Sequence, residues 1–456
     1  MNSRKISAFL VYSVFLSIFS LSMATAVSAE DKYRKIDFSL SLRERLEIWN
    51  GMNAKNYGDN SVGAIGSLND RVLLQRIIAG FVLHLSSKIN FSAHLQDSRA
   101  FGWSLRNSRY PDLFKVKAKN TQEPFYLMNP NEEFIEIYDL YVELKPVWKN
   151  FSLKVGRQKI SYGDNRIFGP GEWGNTGRWT WDALKVSYEK GANFIEAFAG
   201  GTKIHHPEKI SIPFTKTEFW GAGLYAHHEW KKVGAIEPFY ALKTAGSADY
   251  ARTLAFSRHW LGVRFFNNNL YHFVYDLTFA REFGRDSGKK IEAFGLIAKI
   301  GYQLDSIWAR PILAIRESYA SGGKSSDLTI KTFDPVYGSK GQYYGRMNIT
   351  SWSNLDDREI LITFFPAKNL RLETSYHWFY LPEPDEVSLL GTLKLNPGAH
   401  HLGNEFDVFL NYKISSPWQL VAAFGYFWPG EVQPINNQPA KNASWLAFQL
   451  LFEWDR

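Results

Sequence analysis

Apolar and polar residues alternate along most of the chain in segments of roughly ten residues, the length typical of membrane-spanning strands. The last segment places Leu446, Phe448, Leu450, Phe452 and Trp454 on one face. Ala447, Gln449, Leu451 and Glu453 occupy the positions between them. Because successive side chains of a strand point to opposite faces, the first set is predicted to contact lipid. A helical period of 3.6 residues does not fit this pattern.

The first segment and a central segment follow the same pattern. In the first, Glu44 is the exception on an otherwise apolar face of Phe38, Leu40, Leu42, Leu46 and Ile48. The opposite face carries Ser39, Ser41, Arg43, Arg45 and Glu47. Within 270–282 the alternation is of Tyr271, Phe273, Tyr275, Leu277 and Phe279 with His272, Asp276, Thr278 and Glu282. Each segment is therefore predicted to be a strand with an apolar outer face and a polar inner face.

About 18 such segments are predicted from the alternation and the turn residues between them, with 16 as the lower bound. They are 36–49, 70–85, 88–98, 134–146, 150–162, 181–189, 192–203, 217–230, 235–245, 253–266, 269–282, 290–303, 307–317, 354–366, 369–380, 400–413, 417–429 and 443–454. Residues 343–351 are a candidate for a separate short strand.

The connections between the segments are predicted to alternate strictly between long and short. The segment 50–69 is long and Ser86-Ser87 is a tight turn, and the same contrast recurs to the end of the chain. Outer-membrane barrels have short periplasmic turns and long external loops. The fold class is therefore all-β, a transmembrane antiparallel up-and-down barrel with both ends in the periplasm. A barrel this wide encloses an aqueous channel, and the long loops 99–133, 163–180 and 318–353 are candidates to fold inward and narrow it.

The N-terminus has the features of a secretory signal peptide. Arg4 and Lys5 precede an apolar run from Ile6 to Met23, and Val27-Ser28-Ala29 is a small-residue cleavage site. The prediction is a signal peptide over 1–29 and a mature barrel over 30–456. A retained membrane anchor is the alternative, because the run is nearly long enough to span a membrane.

Composition adds three observations to this picture. The chain has no cysteine, which a closed barrel does not need, and aromatic residues make up 16% of it. Such an aromatic content suits a lipid-facing surface with interfacial girdles. The formal charge is +8, and the mature chain without Arg4 and Lys5 would carry +6, a mild bias towards anionic solutes.

Three stretches resemble the alginate export family of outer-membrane barrels. The first reads KVGRQKISYGDNRIFG over 154–169, with WGNTGR over 173–178 and WDA over 181–183. The second reads TFDPVY over 332–337, with YYG over 343–345, and the third reads HHLGNEFD over 400–407, with YFWPG over 426–430. The resemblance covers nearly the whole mature chain and implies an 18-stranded barrel whose arginines and lysines pass an anionic polyuronate.

The resemblance also implies the location and the partners. The chain would be an integral protein of the Gram-negative outer membrane, in contact with its lipid and with an anionic polysaccharide or small anionic solutes. It leaves room for periplasmic proteins of an export complex. No cofactor and no nucleic acid are expected, since no motif for either is present.

The residues predicted to contact the solute are inward arginines, because guanidinium stays charged and its planar fork matches a carboxylate. Selectivity in a pore comes from such charges at the constriction. The candidates are Arg43, Arg45, Arg76, Arg157, Arg166, Arg178 and Arg264. The alternative is that they brace the wall through inward carboxylates, for which the obvious partners are Asp97, Asp139, Glu143, Asp164 and Asp182.

Other residue types point to function less directly. The pairs His205-His206, His227-His228 and His400-His401 are not expected to bind metal, because adjacent side chains of a strand point to opposite faces. Most aromatic residues are predicted to form interfacial girdles, with Trp173, Trp179 and Tyr343 as candidate sugar contacts.

Three functions remain open from the sequence. The first is a channel for an anionic polysaccharide of the alginate type, and the second is a general or anion-selective porin on the same scaffold. A barrel enzyme is the third. No nucleophile elbow, zinc-protease helix motif or phosphate loop supports it, so the chain is predicted not to be an enzyme.

Overall fold

The computed structural model is a closed antiparallel β-barrel, which confirms the predicted fold class. It describes residues 35–52, 69–103, 115–116, 125–126, 131–205, 209–247, 255–338, 343–384, 393–434 and 439–455, so the predicted signal peptide lies outside the described residues. The 18 long strands are β1 (Lys35–Asn50), β2 (Asp70–Ser86), β3 (Ile89–Phe101), β4 (Glu133–Trp148), β5 (Phe151–Lys159), β6 (Thr180–Lys190), β7 (Asn193–Thr202), β8 (Phe219–Trp230), β9 (Gly234–Ala245), β10 (Phe256–Leu270), β11 (Phe273–Asp286), β12 (Lys289–Gln303), β13 (Ile312–Ala320), β14 (Leu355–Ala367), β15 (Leu370–Tyr380), β16 (His401–Ser415), β17 (Trp418–Pro429) and β18 (Ala443–Asp455).

Each strand pairs with its neighbours in sequence, and β1 pairs with β18 to close the barrel, with Ser39 opposite Asp455. Closure matters because the lipid interior offers no water to backbone N–H and C=O groups, so every strand must find partners on both sides. The alternation sorts side chains as predicted, since Phe448 and Leu450 are exposed on the outer face whereas Gln449 is buried. Within the described residues, no helix is long and apolar enough to cross a membrane.

The polar exception on the outer face of β1 has a specific partner. Glu44 lies opposite Gln75 of β2, and the Gln75 side-chain amide donates a hydrogen bond of 2.6 Å to the Glu44 carboxylate. Both side chains face outward, so each satisfies the other where neither can reach the lumen. A polar residue on the lipid-facing side is tolerated because its hydrogen bond is made within the wall.

Strict alternation of loop length is wrong at one point. β11 and β12 are joined on the loop side by only Ser287-Gly288, whose positive φ angles of 51° and 84° are those of a tight hairpin turn. The predicted strand 269–282 is therefore shifted, and Tyr271 and His272 form the turn that precedes it, again with positive φ. Nor are residues 343–351 a strand; the short strand in this connection is Thr329–Ile330, which pairs in parallel with β12.

Two long connections fold into the lumen, as predicted for 163–180 and 318–353. The first plug segment (160–179) and the second plug segment (321–354, described except for 339–342) meet where Tyr337 N–H donates to Ile167 and Gly169 N–H donates to Tyr337. Most of the third candidate, 99–133, lies outside the described residues. The apolar core therefore sits inside the barrel, where Phe168 and Tyr337 pack with Trp181 and Phe198 of the wall.

Candidate functional site

Two cavities lie in the lumen beside the plug segments. The larger has a volume of about 610 Å³ and is lined by Arg43, Arg76 and Glu172, among others. The smaller, of about 250 Å³, is lined by several arginines and carboxylates of the wall. Both border Arg346 and Phe409, whose guanidinium and ring lie 3.8 Å apart, so this pair stands between the two cavities.

Three cations surround one carboxylate at the larger cavity, and this cationic cluster consists of Arg43, Arg76, Lys159 and Glu172. Arg76 Nη1 lies 2.9 Å from Glu172 Oε2, and Lys159 Nζ lies 3.8 Å from Oε1. Arg43 donates to the backbone oxygens of Glu172 and Gly174 at 2.8 and 3.0 Å. With three positive groups and one negative group, the cluster carries an excess of two positive charges.

Glu172 lies on the first plug segment, and its side chain is 40% exposed to the lumen. Burial opposes ionisation of this carboxyl, but Lys159, Arg76 and Arg43 outweigh that effect and lower its pKa to about 2. Tyr138 adds a hydrogen bond of 3.2 Å from its hydroxyl. The carboxylate therefore stays charged and holds the plug segment against β1 and β2.

Arg45 holds the same plug segment from the neighbouring inward position of β1. It donates to the Trp173 backbone oxygen at 2.6 Å, stacks over the Trp173 ring at 4.3 Å and pairs with Glu47 at 2.7 Å. Glu47 in turn accepts hydrogen bonds from the indoles of Trp49 and Trp445. Arg45 is 2% exposed, so these contacts anchor the loop.

Two more of the predicted arginines, Arg166 and Arg264, lie close to the same carboxylate of the first plug segment. Arg166 Nε lies 2.9 Å from Asp164, and Arg264 Nε lies 3.9 Å from the same carboxylate. Arg264 also makes a two-pronged contact with Asp276, at 3.1 and 2.8 Å, and reaches Glu237 at 3.2 Å. Arg166 lines the smaller cavity, whereas Arg264 lies behind it.

The remaining two predicted arginines lie apart from both cavities. Arg157 is fully buried, pairs with Asp182 at 2.8 and 3.0 Å and with Glu136 at 3.1 Å, and donates to the Ser211 backbone oxygen. Arg178 stacks over Trp179 at 4.3 Å and lies 3.8 Å from Glu218. Of the other carboxylates predicted to brace arginines, three have different main partners: Asp97 pairs with Arg99, Asp139 with His94, and Glu143 with Lys145 and Lys154.

Sequence reasoning missed five described cations that line or adjoin the cavities: Lys159, Lys299, Arg316, Arg346 and Arg371. Lys299 has no carboxylate within ion-pair distance among the described residues. The inward position of Lys299 could have been predicted from the alternation, because Ile297 and Lys299 occupy successive inward positions of β12. Arg346 had no such signal, since it lies on the second plug segment and enters the lumen only through the tertiary fold.

The candidate aromatic contacts divide between the cavities and the core. Trp173 lines the larger cavity and Tyr343 the smaller one, whereas Trp179 is 2% exposed and packs in the apolar core. The described members of the histidine pairs have separate partners. His205 lies against Glu133 and the Arg178 backbone, and His227 against Glu237.

A row of hydrogen-bonded side chains crosses β1 to β4 at the larger cavity. Ser39 Oγ lies 2.7 Å from His94 Nε2, and His94 Nδ1 lies 3.0 Å from Asp139 Oδ1. The row exists because Gly80 separates Ser39 from His94 and has no side chain; a Cβ there would lie 2.6 Å from the His94 ring. Ser39 pairs with strands on both sides, so the described peptide N–H groups around it are used by the barrel.

The fold is shared with solved outer-membrane porins of low sequence identity. Pseudomonas aeruginosa OpdK, crystallised with vanillate, is 11% identical, with a TM-score of 0.58 over 92% of this chain and 99% of that one. Acinetobacter baumannii OccAB2 is 10% identical, with a TM-score of 0.59 over 92% and 98%. A. baumannii OccAB3 is 13% identical, with a TM-score of 0.58 over 92% and 100%.

Comparison by sequence finds no curated protein that matches the chain. It does find one family. The family model described as alginate export matches residues 34–445, which is nearly all of the barrel.

Proposed function

Because the chain belongs to the alginate export family and forms an outer-membrane channel, we propose that it passes an anionic polysaccharide of the polyuronate type through a cation-lined lumen. The family and the porin-like barrels are transport channels, which supports a transport function over catalysis.

The observation that carries the proposal is the cationic cluster at the larger cavity. Its excess of two positive charges faces the lumen beside Trp173, whose ring offers a flat apolar surface to a sugar. A polyuronate bears about one carboxylate on each sugar, and cations of moderate strength let such a chain step from site to site. Arg43 suits this role because no carboxylate lies within ion-pair distance of it among the described residues.

The bracing contacts assign different roles to the seven predicted arginines. Arg43, Arg76 and Arg166 line the cavities and are proposed to contact the solute. The others, Arg45, Arg157, Arg178 and Arg264, are proposed to hold plug segments and wall in place, so that the first three keep their positions.

A channel for small anionic solutes is the second candidate, and the size of the cavities favours it. The plug segments leave volumes of about 610 and 250 Å³; the first is in the range of binding sites for small molecules and the second is just below it. OpdK, which shares the fold, was crystallised with vanillate, a small carboxylate.

Planar-bilayer recordings test the proposal. The double variant Arg43→Gln/Arg76→Gln removes both excess charges, so the reversal potential in a salt gradient should shift away from anion preference. Polyuronate added to one side should block the native channel and block the variant less. Arg281→Gln is the control for position, because it removes one arginine charge from the outer face of β11 instead of from the lumen.

Two results would count against parts of the proposal. An unchanged reversal potential in the double variant would remove the cationic cluster as the selectivity site. Anion preference with no block by polyuronate, but with block by small carboxylates, would favour the second candidate.

A further inference from the structure

A second charged cluster lies on the inner face of β14, β15 and β16. This carboxylate cluster consists of Asp357, Glu359, His377, Glu405 and Asp407, all between 0 and 4% exposed. The strand register produces it, because Glu359, His377 and Glu405 lie opposite one another in a single row. Asp407 lies opposite Ser375, one inward position away.

The histidine has carboxylates on both ring nitrogens. His377 Nδ1 lies 2.9 Å from Asp357 Oδ1, a hydrogen-bond distance. Nε2 lies 3.1 Å from Ser375 Oγ and 3.6 Å from both Glu359 Oε1 and Asp407 Oδ2, which is too long for a good hydrogen bond to either carboxylate. Ligand atoms about 2.0–2.1 Å from a shared cation lie roughly 3.4 Å apart, so this spacing suits coordination.

Three groups of the cluster, without Asp407, are close enough together to hold one ion. One ligand atom each from Asp357, Glu359 and His377 lie within 4.8 Å of one another. An imidazole that binds a metal through one nitrogen commonly donates its other N–H to a carboxylate, which fixes the ring. Asp357 stands in that position beside Nδ1.

Two carboxylate oxygens in the cluster lack a hydrogen bond. Glu405 Oε2 and Asp407 Oδ1 are buried, and no described group donates to either. Their partner oxygens accept only backbone N–H groups of the second plug segment, from Met347 and Arg346. Buried acceptors without a donor are costly, so these oxygens indicate a missing positive group.

Carboxylates outnumber the cations that contact the cluster. With Nε2 on a metal and Nδ1–H on Asp357 the His377 ring is neutral, so the four carboxylates face Arg316, whose Nη2 lies 2.5 Å from Glu359 Oε2, and Lys299 at the edge of the same cavity. Arg346 and Arg371 are nearby and share Glu373. A divalent cation therefore adds positive charge to a buried site that is rich in carboxylates.

We propose that the carboxylate cluster binds one divalent cation of the class that accepts both imidazole nitrogen and carboxylate oxygen, such as Zn²⁺. Its ligands are His377 Nε2, Glu359 and Asp407, and Asp357 accepts the Nδ1–H. These three ligands line the smaller cavity, which gives the ion a path from the lumen.

The cation has a structural consequence for the channel. Arg346 and Met347 of the second plug segment donate to Asp407 and Glu405, so an ion held by the cluster fixes this part of the plug to the wall. Removing the ion weakens that attachment and should make the channel current noisier and larger on average.

Calorimetric titration of the purified barrel tests the site. After EDTA treatment and dialysis, the native protein should bind one Zn²⁺ per chain. Glu359→Gln and Asp407→Asn should lose stoichiometric binding, and Asp357→Asn should bind about 10–100-fold more weakly. Glu196→Gln is the matched control, because Glu196 is also a lumenal carboxylate but pairs with Lys185 and Ser187.

The outcome that overturns the proposal is equally specific. Native protein that takes up neither Zn²⁺, Mn²⁺ nor Ca²⁺ stoichiometrically would show that a proton shared by Glu405 and Asp407 neutralises the cluster instead. Binding by Glu359→Gln equal to that of the native chain would place the ion elsewhere. The heat-dependent gel mobility of folded barrels shows which variants have folded, so loss of folding is not mistaken for loss of binding.

Discussion

The cationic cluster and the carboxylate cluster use the same residue types with opposite excess charge. The first has three cations around Glu172 at the larger cavity; the Glu172 side chain is 40% exposed, whereas Arg43 and Arg76 are 3% and 7% exposed. The second has four carboxylates around His377, all almost completely buried. Water and passing solutes can compensate the first excess, whereas the second must be compensated by a group that stays bound.

The difference separates two uses of charge in one lumen. A partly exposed excess remains available to a solute and contributes to selectivity. A buried excess cannot act on a distant solute, because its neutralisation is a condition for folding. The four tests that follow change one member of either cluster, or Lys299 beside the smaller cavity.

The largest effect is expected for His377→Leu in metal-free protein. It leaves four buried carboxylates with one guanidinium, and breaking a buried ion pair costs about 3–5 kcal/mol. The free energy of unfolding, measured by tryptophan fluorescence in denaturant, should fall by that amount.

The double variant His377→Leu/Asp357→Leu is its control. It removes a charge of each sign from the pair, and apolar replacement of a whole buried pair is often neutral. Stability of the double variant should recover much of the loss. If His377→Leu alone unfolds at the same denaturant concentration as the native chain, the cluster is not an electrostatic unit.

Glu172→Gln should have an intermediate effect of a different kind. It raises the excess charge of the cationic cluster from two to three, so anion preference in bilayer recordings should increase. Its cost in stability should stay below about 1 kcal/mol, as for partly exposed ion pairs. A decrease in anion preference would contradict the assigned role of the cluster.

Acid stability checks the same residue independently. The pKa of Glu172 is lowered from its ordinary value of 4.5 to about 2, so its contribution to stability is present above pH 4.5. The contribution is lost as the pH falls from 4.5 through 2. The native chain should therefore lose more stability than Glu172→Gln over this interval, and equal losses would contradict the ion pairing.

Lys299→Gln should have the smallest effect. Its ammonium lines the smaller cavity without an ion-pair partner among the described residues, so its removal breaks no salt bridge. Stability should be unchanged, and the reversal potential should shift slightly away from anion preference. A clear loss of stability would show that Lys299 braces the wall.

The sequence predicts the strands of the barrel wall far better than the contacts made inside the lumen. Alternation locates the strands because each inward or outward position depends only on its neighbours and on contact with lipid or lumen. The inward orientation of Lys299 could have been predicted in this way. The two-residue turn at Ser287-Gly288 was missed because β11 continues past the last clear alternation, at Glu282.

The contents of the lumen depend on contacts between residues far apart in the chain. Arg43 meets Glu172 and Gly174, more than a hundred residues later, and no local pattern records that contact. The carboxylate cluster likewise needs the register of three strands. Family motifs marked the plug segments but not their partners.

The junction of Phe168 and Tyr337 has a kinetic consequence. The two plug segments exchange backbone hydrogen bonds there, and their rings stack with centroids 6.1 Å apart. One segment cannot leave the lumen without the other unless this junction breaks. The two segments are therefore expected to move together, and single-channel currents should switch between discrete levels.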